Sequence, residues 1–425
     1  MALSTLATQT RAGTEINVAW VKAQSKLLDG YNRKTEEWGW VPKLKDFEIA
    51  RSAREMTCPV DLVRAPHAVA IPEGGYEQIA FTPNMLETTV TWSNYNYRFV
   101  VTNTARYLDQ TGRNNQIIKQ FKYQMRKLVE GMSATIGRDF YGFSTGVWAK
   151  TSTAATSTST AYTLIDAYTL TETHADQASF LGYMFVPNDK VALIRSGSLV
   201  TNAIGTVTAV TPATPTITVN WLGSVSSASG DSIVLASSSE GTTIAATSYN
   251  RSLVGLLEMM TSNTVHSLPG STTNAEWNVG YAGTTAGRFG GVELRKMRQG
   301  IEDNGGGTLS QLVWSRGVSN DAFSSQSGVL RFSDPFNMEL DGEATAKGVT
   351  QRSTRKVPPG YVFGWADGAI QKFQLLDQVS EGEQVWEDGD KLENQNGRVF
   401  NTDYPVALVC TSRRKLAYSN QKTEQ

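Results

Sequence analysis

The sequence predicts an α+β protein with an inserted β module, and three features predict it. A long amphipathic helix is indicated at residues 114–141, where seven apolar residues recur at spacings of three or four. Residues 56–102 alternate with the two-residue period of strands, and residues 180–240 hold short β segments between Gly, Pro and Ser turns. Helical and strand signals then mix again after residue 286.

The composition excludes several classes of protein. The 425 residues include 39 Lys and Arg against 40 Asp and Glu, so the chain does not coat nucleic acid by bulk charge. Charged residues make up 19% of the chain, below the roughly 25% usual for soluble domains, while 40% are hydrophobic. A globular protein of two to three domains is expected, with a sparsely charged surface that suits contact with other proteins.

Histidines and cysteines are too few and too far apart to predict a metal site. Cys58 and Cys410 are expected as buried thiols in a reducing compartment. His67 is expected at the surface and His174 and His266 in polar loops, so none is predicted to be a catalytic base. No secretory signal or membrane-spanning run is present in the sequence, which favours cytoplasm-like conditions without membrane contact.

The N-terminal third contains two helix signals around an extended segment. A first helix is predicted at residues 14–30, and the residues up to Lys45 carry a local positive charge. A solvated helix face is favoured over nucleic-acid contact for this charge. The extended segment reads as a long hairpin or ribbon, with Ala68–Ile71 and Gln78–Phe81 as further strands, and such a ribbon needs a partner surface. The helix at residues 114–141 would be about 42 Å long.

The remaining elements follow in order. Residues 150–163, rich in Ser and Thr, are interpreted as a low-complexity linker. Short strands are predicted at 205–210, 215–219 and 230–235, a helix at 286–303, a strand at 309–314 and a short helix at 318–325. Late strands are predicted at 361–365, 369–376 and 404–410.

This order of elements resembles that of the major capsid proteins of tailed phages, the Hong Kong 97-type fold. The resemblance extends over nearly the whole chain but contains no single diagnostic motif. The segments that carry it are Thr89–Asn103, Gly205–Val210 followed by Gly230–Val234, Gly255–Leu257, Leu309–Ser315 and Lys356–Phe363.

The resemblance implies a division of the chain into the parts of that fold. These are an N-terminal arm (1–50), an extended-loop β hairpin (51–102), the spine helix of a peripheral domain (103–149), an axial domain (150–376) with a small β-barrel-like insertion at about 180–240, an outer acidic loop of the peripheral domain (377–402), and a C-terminal strand and tail (403–425).

The resemblance also implies a structural protein of the virion, made in the bacterial host cytoplasm. Subunits would form hexamers and pentamers of an icosahedral head around double-stranded DNA, with the extended loop over a neighbour's spine helix. The arm would face inward and contact DNA phosphates without base specificity, through Lys22, Lys26, Arg33 and Lys34. No lysine lies between Lys45 and Lys119, so no cross-link of the extended-loop lysine type is expected. Because no long segment precedes the arm, a separate scaffolding protein is expected, besides portal and decoration proteins.

Charged residues of the extended loop and the acidic loop are the candidates for contacts between subunits. They are Arg64, Glu73, Glu77, Glu87 and Arg98 in the first, and Glu381, Glu383, Glu387 and Asp388 in the second. A solvated loop explains the acidic residues equally well, and Asp388-Gly389-Asp390 lacks the full calcium-loop pattern. Possible basic partners are Arg352, Arg355, Lys356, Arg413 and Arg414.

No catalytic or cofactor motif is present, so no enzyme, catalytic residue, cofactor or metal is predicted. Two alternatives to the phage capsid subunit remain. An encapsulin-like compartment would share the fold but hold cargo enzymes instead of DNA. A secreted Ser- and Thr-rich adhesin or glycan-active protein is disfavoured by the missing export signal.

Charge reversal in the extended loop tests the contacts predicted there. Glu73→Lys or Glu77→Lys is expected to impair particle assembly, because ion pairs between subunits fix register. Particle yield and stability are the measurements. Shells of normal yield and stability would show that these two residues do not contribute to assembly.

Overall fold

The computed structural model describes residues 36–45, 48–49, 55–61, 85–102, 116–167, 177–237, 247–270, 277–305, 307–327, 343–346, 349–374, 390–391 and 397–424. The predicted helix at 14–30 and the predicted segments Ala68–Ile71 and Gln78–Phe81 lie outside these residues.

Six α-helices lie in the described part of the chain, interspersed with strands as an α+β fold requires. They are α1 (Glu36–Trp40), α2 (Gln116–Asp139), α3 (Gln177–Gly182), α4 (Leu256–Thr261), α5 (Gly291–Gly305) and α6 (Arg316–Ser327). The predicted long helix is confirmed as α2, whose Met132 and Ile136 are buried at the spacing that the apolar stripe requires, and the buried Phe140 follows its last residue.

The strands of the described residues form five groups: a three-stranded sheet, a closed barrel, a two-stranded hairpin, a six-stranded sheet and a four-stranded sheet. They are β1 (Glu48–Ile49), β2 (Glu55–Asp61), β3 (Met85–Thr91), β4 (Ser93–Thr102), β5 (Val147–Thr151), β6 (Ala155–Ile165), β7 (Lys190–Arg195), β8 (Ser198–Thr211), β9 (Thr216–Ser227), β10 (Ser232–Leu235), β11 (Thr264–Val265), β12 (Leu268–Pro269), β13 (Tyr281–Gly283), β14 (Leu309–Trp314), β15 (Glu343–Ala346), β16 (Val349–Ser353), β17 (Val362–Ala366), β18 (Ile370–Gln374), β19 (Asp390–Lys391), β20 (Gly397–Cys410) and β21 (Leu416–Ser419).

The predicted β module is a closed six-stranded barrel in the order β10-β5-β6-β9-β8-β7. Its interior is filled by buried side chains such as Tyr162, Val219, Trp221 and Ile233. The indole Nε1–H of Trp221 donates to the hydroxyl of Tyr162 at 3.2 Å, so this buried polar pair is satisfied. Closure leaves no unpaired sheet edge in the barrel.

The linker predicted at residues 150–163 is wrong, because these residues belong to barrel strands β5 and β6. In β6 the buried positions are Thr160, Tyr162 and Leu164, and the residues between them are exposed. Only one face of the strand needs apolar residues, so the other reads as low-complexity Ser and Thr, which also suit strands. The barrel therefore begins at Val147, ahead of the insertion expected at about residue 180.

A buried carboxylate forms an ion pair at one end of the barrel. The Asp231 side chain, 2% exposed, receives two hydrogen bonds from the Arg195 guanidinium, Nη2 to Oδ2 at 2.7 Å and Nε to Oδ1 at 2.8 Å. The backbone N–H of Ala228 donates to the same carboxylate at 2.7 Å. The turn between β9 and β10 is thus tied to β7 by a bidentate pair.

The extended segment 56–102 divides between two sheets. Strand β2 pairs with β3 from Glu55↔Thr91 to Asp61↔Met85, which gives the expected hairpin. Strand β4 does not extend that ribbon, and pairs instead with β20, from Ser93↔Val406 to Thr102↔Gly397. The chain passes from one sheet to the other at Trp92, whose ring stacks on that of Phe373 with 5.8 Å between the ring centroids. The alternating pattern identified both strands, but it cannot identify a partner 300 residues away.

The six-stranded sheet has the order β13-β21-β17-β14-β16-β15 and mixes parallel with antiparallel pairs. Helix α5 buries Met297 and Ile301 against this sheet, together with Leu312 of β14 and Val318 of α6. The predicted helix, strand and short helix of this region are confirmed, with bounds that differ by a few residues.

The chain divides into two compact units built from discontinuous segments. One contains residues 1–43, 92–138 and 372–407, and the other contains 44–91, 139–371 and 408–425. In the first unit, the buried Lys372 donates from Nζ to the carbonyl of Trp38 at 2.6 Å, and β4 lies against β20. The second unit contains the barrel and the six-stranded sheet.

Replacement of Gly205 by Ala tests the packing of the barrel. A Cβ at this position would lie 2.5 Å from the Asn220 carbonyl oxygen and 2.6 Å from the Trp221 ring, so backbone and a buried side chain must shift. A loss of about 1–3 kcal/mol in the free energy of unfolding is expected, measured by urea denaturation. Gly290→Ala is the matched control, since its Cβ would meet nothing within 4 Å. Equal stability of the two variants would contradict the tight packing at Gly205.

Candidate functional site

Most of the predicted contact residues lie outside the described part of the chain. Glu87 is exposed on β3, opposite Pro59. The backbone of Arg98 lies on β4, opposite Asn401. The candidates outside the described residues are Arg64, Glu73, Glu77, Glu381, Glu383, Glu387, Asp388, Lys22, Lys26, Arg33 and Lys34. The described residues therefore do not bring the predicted charges together, and these contacts remain predictions.

Arg413 is not available to pair with an acidic loop. Its side chain is buried, and Nε donates to the Met259 carbonyl at 2.7 Å while Nη1 donates to the Trp277 carbonyl at 3.3 Å. Nη2 also donates to the carbonyl of Ser262. The guanidinium thus satisfies carbonyls at the C-terminal end of α4, where a cation is favoured. Burial lowers its pKa. The sequence offered no signal that Arg413 is structural.

Arg355 remains an exposed basic side chain. Its guanidinium lies 4.4 Å from the ring centroid of Tyr183, a cation–π contact on the surface. Tyr183 is itself 57% exposed, so the pair presents a cation and an aromatic face together.

The C-terminal residues are held by partly buried polar contacts that the sequence did not indicate. Glu424 Oε1 accepts a hydrogen bond from the Gly360 N–H at 2.8 Å and contacts the Ser315 hydroxyl. A Cβ on Gly317 would lie 2.6 Å from the Glu424 side chain, so glycine leaves room for it. A carboxylate placed at the start of α6 is favoured by the helix dipole.

A second cluster surrounds Glu293. The Tyr281 hydroxyl donates to Glu293 Oε1 at 2.9 Å, and Lys422 Nζ lies 3.6 Å from the same oxygen. Lys422 is only 3% exposed and also donates to the Thr285 carbonyl at 2.7 Å. Burial, followed by the contact with Glu293, raises the pKa of Tyr281 to about 12. The phenol is therefore protonated at neutral pH, and the contact of Lys422 with Glu293 holds the residues after the last strand, β21, against α5.

Both cysteines are buried and unpaired, as predicted from the sequence. Burial raises the pKa of Cys58 to about 11 and that of Cys410 to about 12. Since the thiolate is the nucleophilic form, neither residue is arranged for nucleophilic catalysis.

His266 is buried, which corrects its expected position in a polar loop. It lies in the turn between β11 and β12 with φ of 49°, and its Nε2 accepts a hydrogen bond from the Cys410 N–H at 3.1 Å. Burial lowers its pKa to about 4. The imidazole is therefore neutral near pH 7 and serves as an acceptor for a strand backbone.

A cavity of about 350 Å³ lies in the second unit. Its lining includes Arg414, Lys415, Gln371 and Ser412, with Leu44 and Cys58 on the apolar side, and no acidic residue. Among the described residues, no three His, Cys, Asp or Glu side chains come together as a metal-binding group. None of the described helices is long and apolar enough to span a membrane.

The buried His266 predicts a component of acid sensitivity. Its folded pKa of about 4 lies below the unfolded value of 6.5, so its contribution is complete above pH 6.5 and is lost as pH falls toward 4. The expected loss is up to about 3 kcal/mol of unfolding free energy across this range. His266→Asn suits the positive φ, stays uncharged and should flatten this part of the pH profile. Identical pH slopes in urea unfolding for the two proteins would contradict the assignment.

Neither a protein-family model nor a curated protein sequence matches this chain. Among solved structures, the chain is similar to the cyanophage A-1(L) capsid asymmetric unit, with a TM-score of 0.48 and 12% identity over 92% of this chain and 93% of that one. It is also similar to the capsid of a native GTA particle (TM-score 0.40, 11% identity, 93% and 90% covered). A third similar structure is an encapsulin complex from Synechococcus elongatus (TM-score 0.39, 10% identity, 80% and 78% covered). The identities are too low for any residue to be assigned a role from these structures.

Proposed function

We propose that this protein is the major capsid protein of a tailed double-stranded DNA bacteriophage. It self-assembles as hexamers and pentamers into the icosahedral head that encloses the genome. Its role is structural and not enzymatic, its place is the virion, and it is made in the bacterial host cytoplasm.

The observation that carries this proposal is the order and pairing of the elements around the long helix α2. The strand that precedes α2, β4, pairs along ten consecutive positions with the late strand β20. Helix and both strands fall largely in one compact unit, drawn from separated segments of the chain. This arrangement fits a peripheral domain with a spine helix, which the sequence resemblance implies.

The hairpin of β2 and β3 supports the same proposal. Asp61 pairs with Met85, so residues 62–84 leave and return at one end of the hairpin. An extended loop that lies over a neighbouring subunit starts from such a base, because a two-stranded ribbon needs a surface on which to bury its apolar side. Glu87 on this hairpin and Arg98 on β4 are proposed contact residues together with Arg64, Glu73 and Glu77.

The proposed partners are further copies of the same chain, with scaffolding, portal and decoration proteins. Packaged DNA is contacted through phosphates only, by the basic arm with Lys22, Lys26, Arg33 and Lys34. The acidic loop with Glu381, Glu383, Glu387 and Asp388 is proposed to pair with basic side chains of neighbouring subunits, and Arg355 is an exposed candidate for that role.

Negative-stain imaging of the expressed full chain, alone and with a candidate scaffolding protein, tests the proposal. Closed angular shells are expected, and native particles should contain DNA that is protected from nuclease. A monomer under both conditions would contradict a shell protein and revive the adhesin or glycan-active alternative. Shells that hold a cargo protein and no DNA would identify an encapsulin-like compartment instead.

A further inference from the structure

One side of the barrel is made entirely from uncharged segments of the sequence. The chain contains no Asp, Glu, Lys or Arg from Thr151 to Ile165 or from Ser196 to Gly230. At the average charge content of 19%, about seven charged residues would be expected in the second segment alone. These segments form β6, β8 and β9, which are consecutive around the barrel in the order β6-β9-β8.

The outward side chains of the three strands form cross-strand rows, which we call the hydroxyl face. The first row is Thr163, Thr216 and Thr211, the second is Ala161, Thr218 and Ala209, and the third is Ser159, Asn220 and Thr206. All nine are exposed or half-buried. Leu222 on β9, 57% exposed, lies beyond the third row, and Ile165 on β6, 39% exposed, lies beyond the first row.

The hydroxyl face has the physical character of a contact surface. Its side chains are short, and the β-branched threonines have few rotamers, so little conformational entropy is lost when the face is covered. The three rows hold no charged side chain, so covering them does not carry the cost of desolvating a charge, and Lys190 on β7 adjoins them only at the edge, opposite Thr206. The central part of a protein–protein interface is also generally poor in charged residues.

The absence of charge indicates which partner the face accepts. In a two-fold contact between identical subunits, each side chain near the axis lies beside its own copy, so any charge there meets a like charge. A face without charges escapes this repulsion. Nucleic acid is disfavoured, because the three rows themselves hold no cation, and Lys190 on the adjoining β7 already donates from Nζ to the Thr206 hydroxyl. A partner with a strongly charged surface would find no counter-charge.

We propose that the hydroxyl face binds the same face of a second copy of this chain, around a local two-fold axis near Thr218. The inference rests on the proposed function only in that self-assembly provides the second copy. It adds a barrel-to-barrel contact to the contacts proposed for the extended loop and the acidic loop.

Thr218→Lys tests the contact by placing like charges near the axis, and Thr284→Lys adds the same charge at an exposed site outside the barrel. Thermal melting first establishes that both variants fold like the wild type. The fraction of chains that are paired through the hydroxyl face is expected to be at least tenfold lower for Thr218→Lys than for Thr284→Lys.

Thr218→Cys measures association directly in the full chain. Both native cysteines are buried, so they give little background in an accessible-thiol cross-linking experiment. With a short bis-maleimide, Thr218→Cys is expected to yield covalent dimers at least tenfold above Thr284→Cys. Adding Thr216→Lys to the Thr218→Cys variant should remove them, because it places like charges beside the axis.

The outcomes separate this inference from the proposed function. Wild-type shells combined with equal cross-linking of the Thr218→Cys and Thr284→Cys variants would overturn the barrel contact and leave the capsid proposal intact. Covalent dimers in a protein that forms no shell under any condition would support the barrel contact and contradict the capsid proposal.

Discussion

The antiparallel pairing of β4 with β20 is the constraint on which the arrangement of the first unit depends. It joins Ser93–Thr102 to the first ten residues of β20, which lie some three hundred residues later in the chain. Such a pairing is entropically costly to close, so it needs extensive hydrogen bonding and burial in return.

The distribution of charge follows a second constraint. The chain has few charges, and several of them are buried and committed to internal contacts. Arg413 satisfies carbonyls beyond α4, Lys422 lies against Glu293, and Asp231 holds Arg195 across the end of the barrel. Such pairs are costly to break once buried, because a single partner would be left without compensation. The surface therefore has fewer charged side chains available for contacts with other molecules than the composition alone suggests.

The low charge content has different consequences for contacts in different parts of the molecule. On the hydroxyl face it concerns three neighbouring strands, whose closure into a barrel removes the exposed edges that charged residues usually protect. On the hairpin of β2 and β3, by contrast, the exposed Glu87 carries a charge. A neutral face suits contact with itself, and a charged loop suits contact with a different surface.

Local patterns in the sequence determined the elements. The apolar stripe from Ile117 to Phe140 predicted α2, and the alternation in Gly205–Val210 predicted part of β8, because helix and strand periods depend on neighbouring residues. The burial of Cys58 and Cys410 followed from the nature of their side chains. Tertiary structure alone decided the rest. It made residues 150–163 barrel strands, paired β4 with β20, and buried His266 and Arg413, since each depends on segments that are distant in sequence and close only in the folded chain.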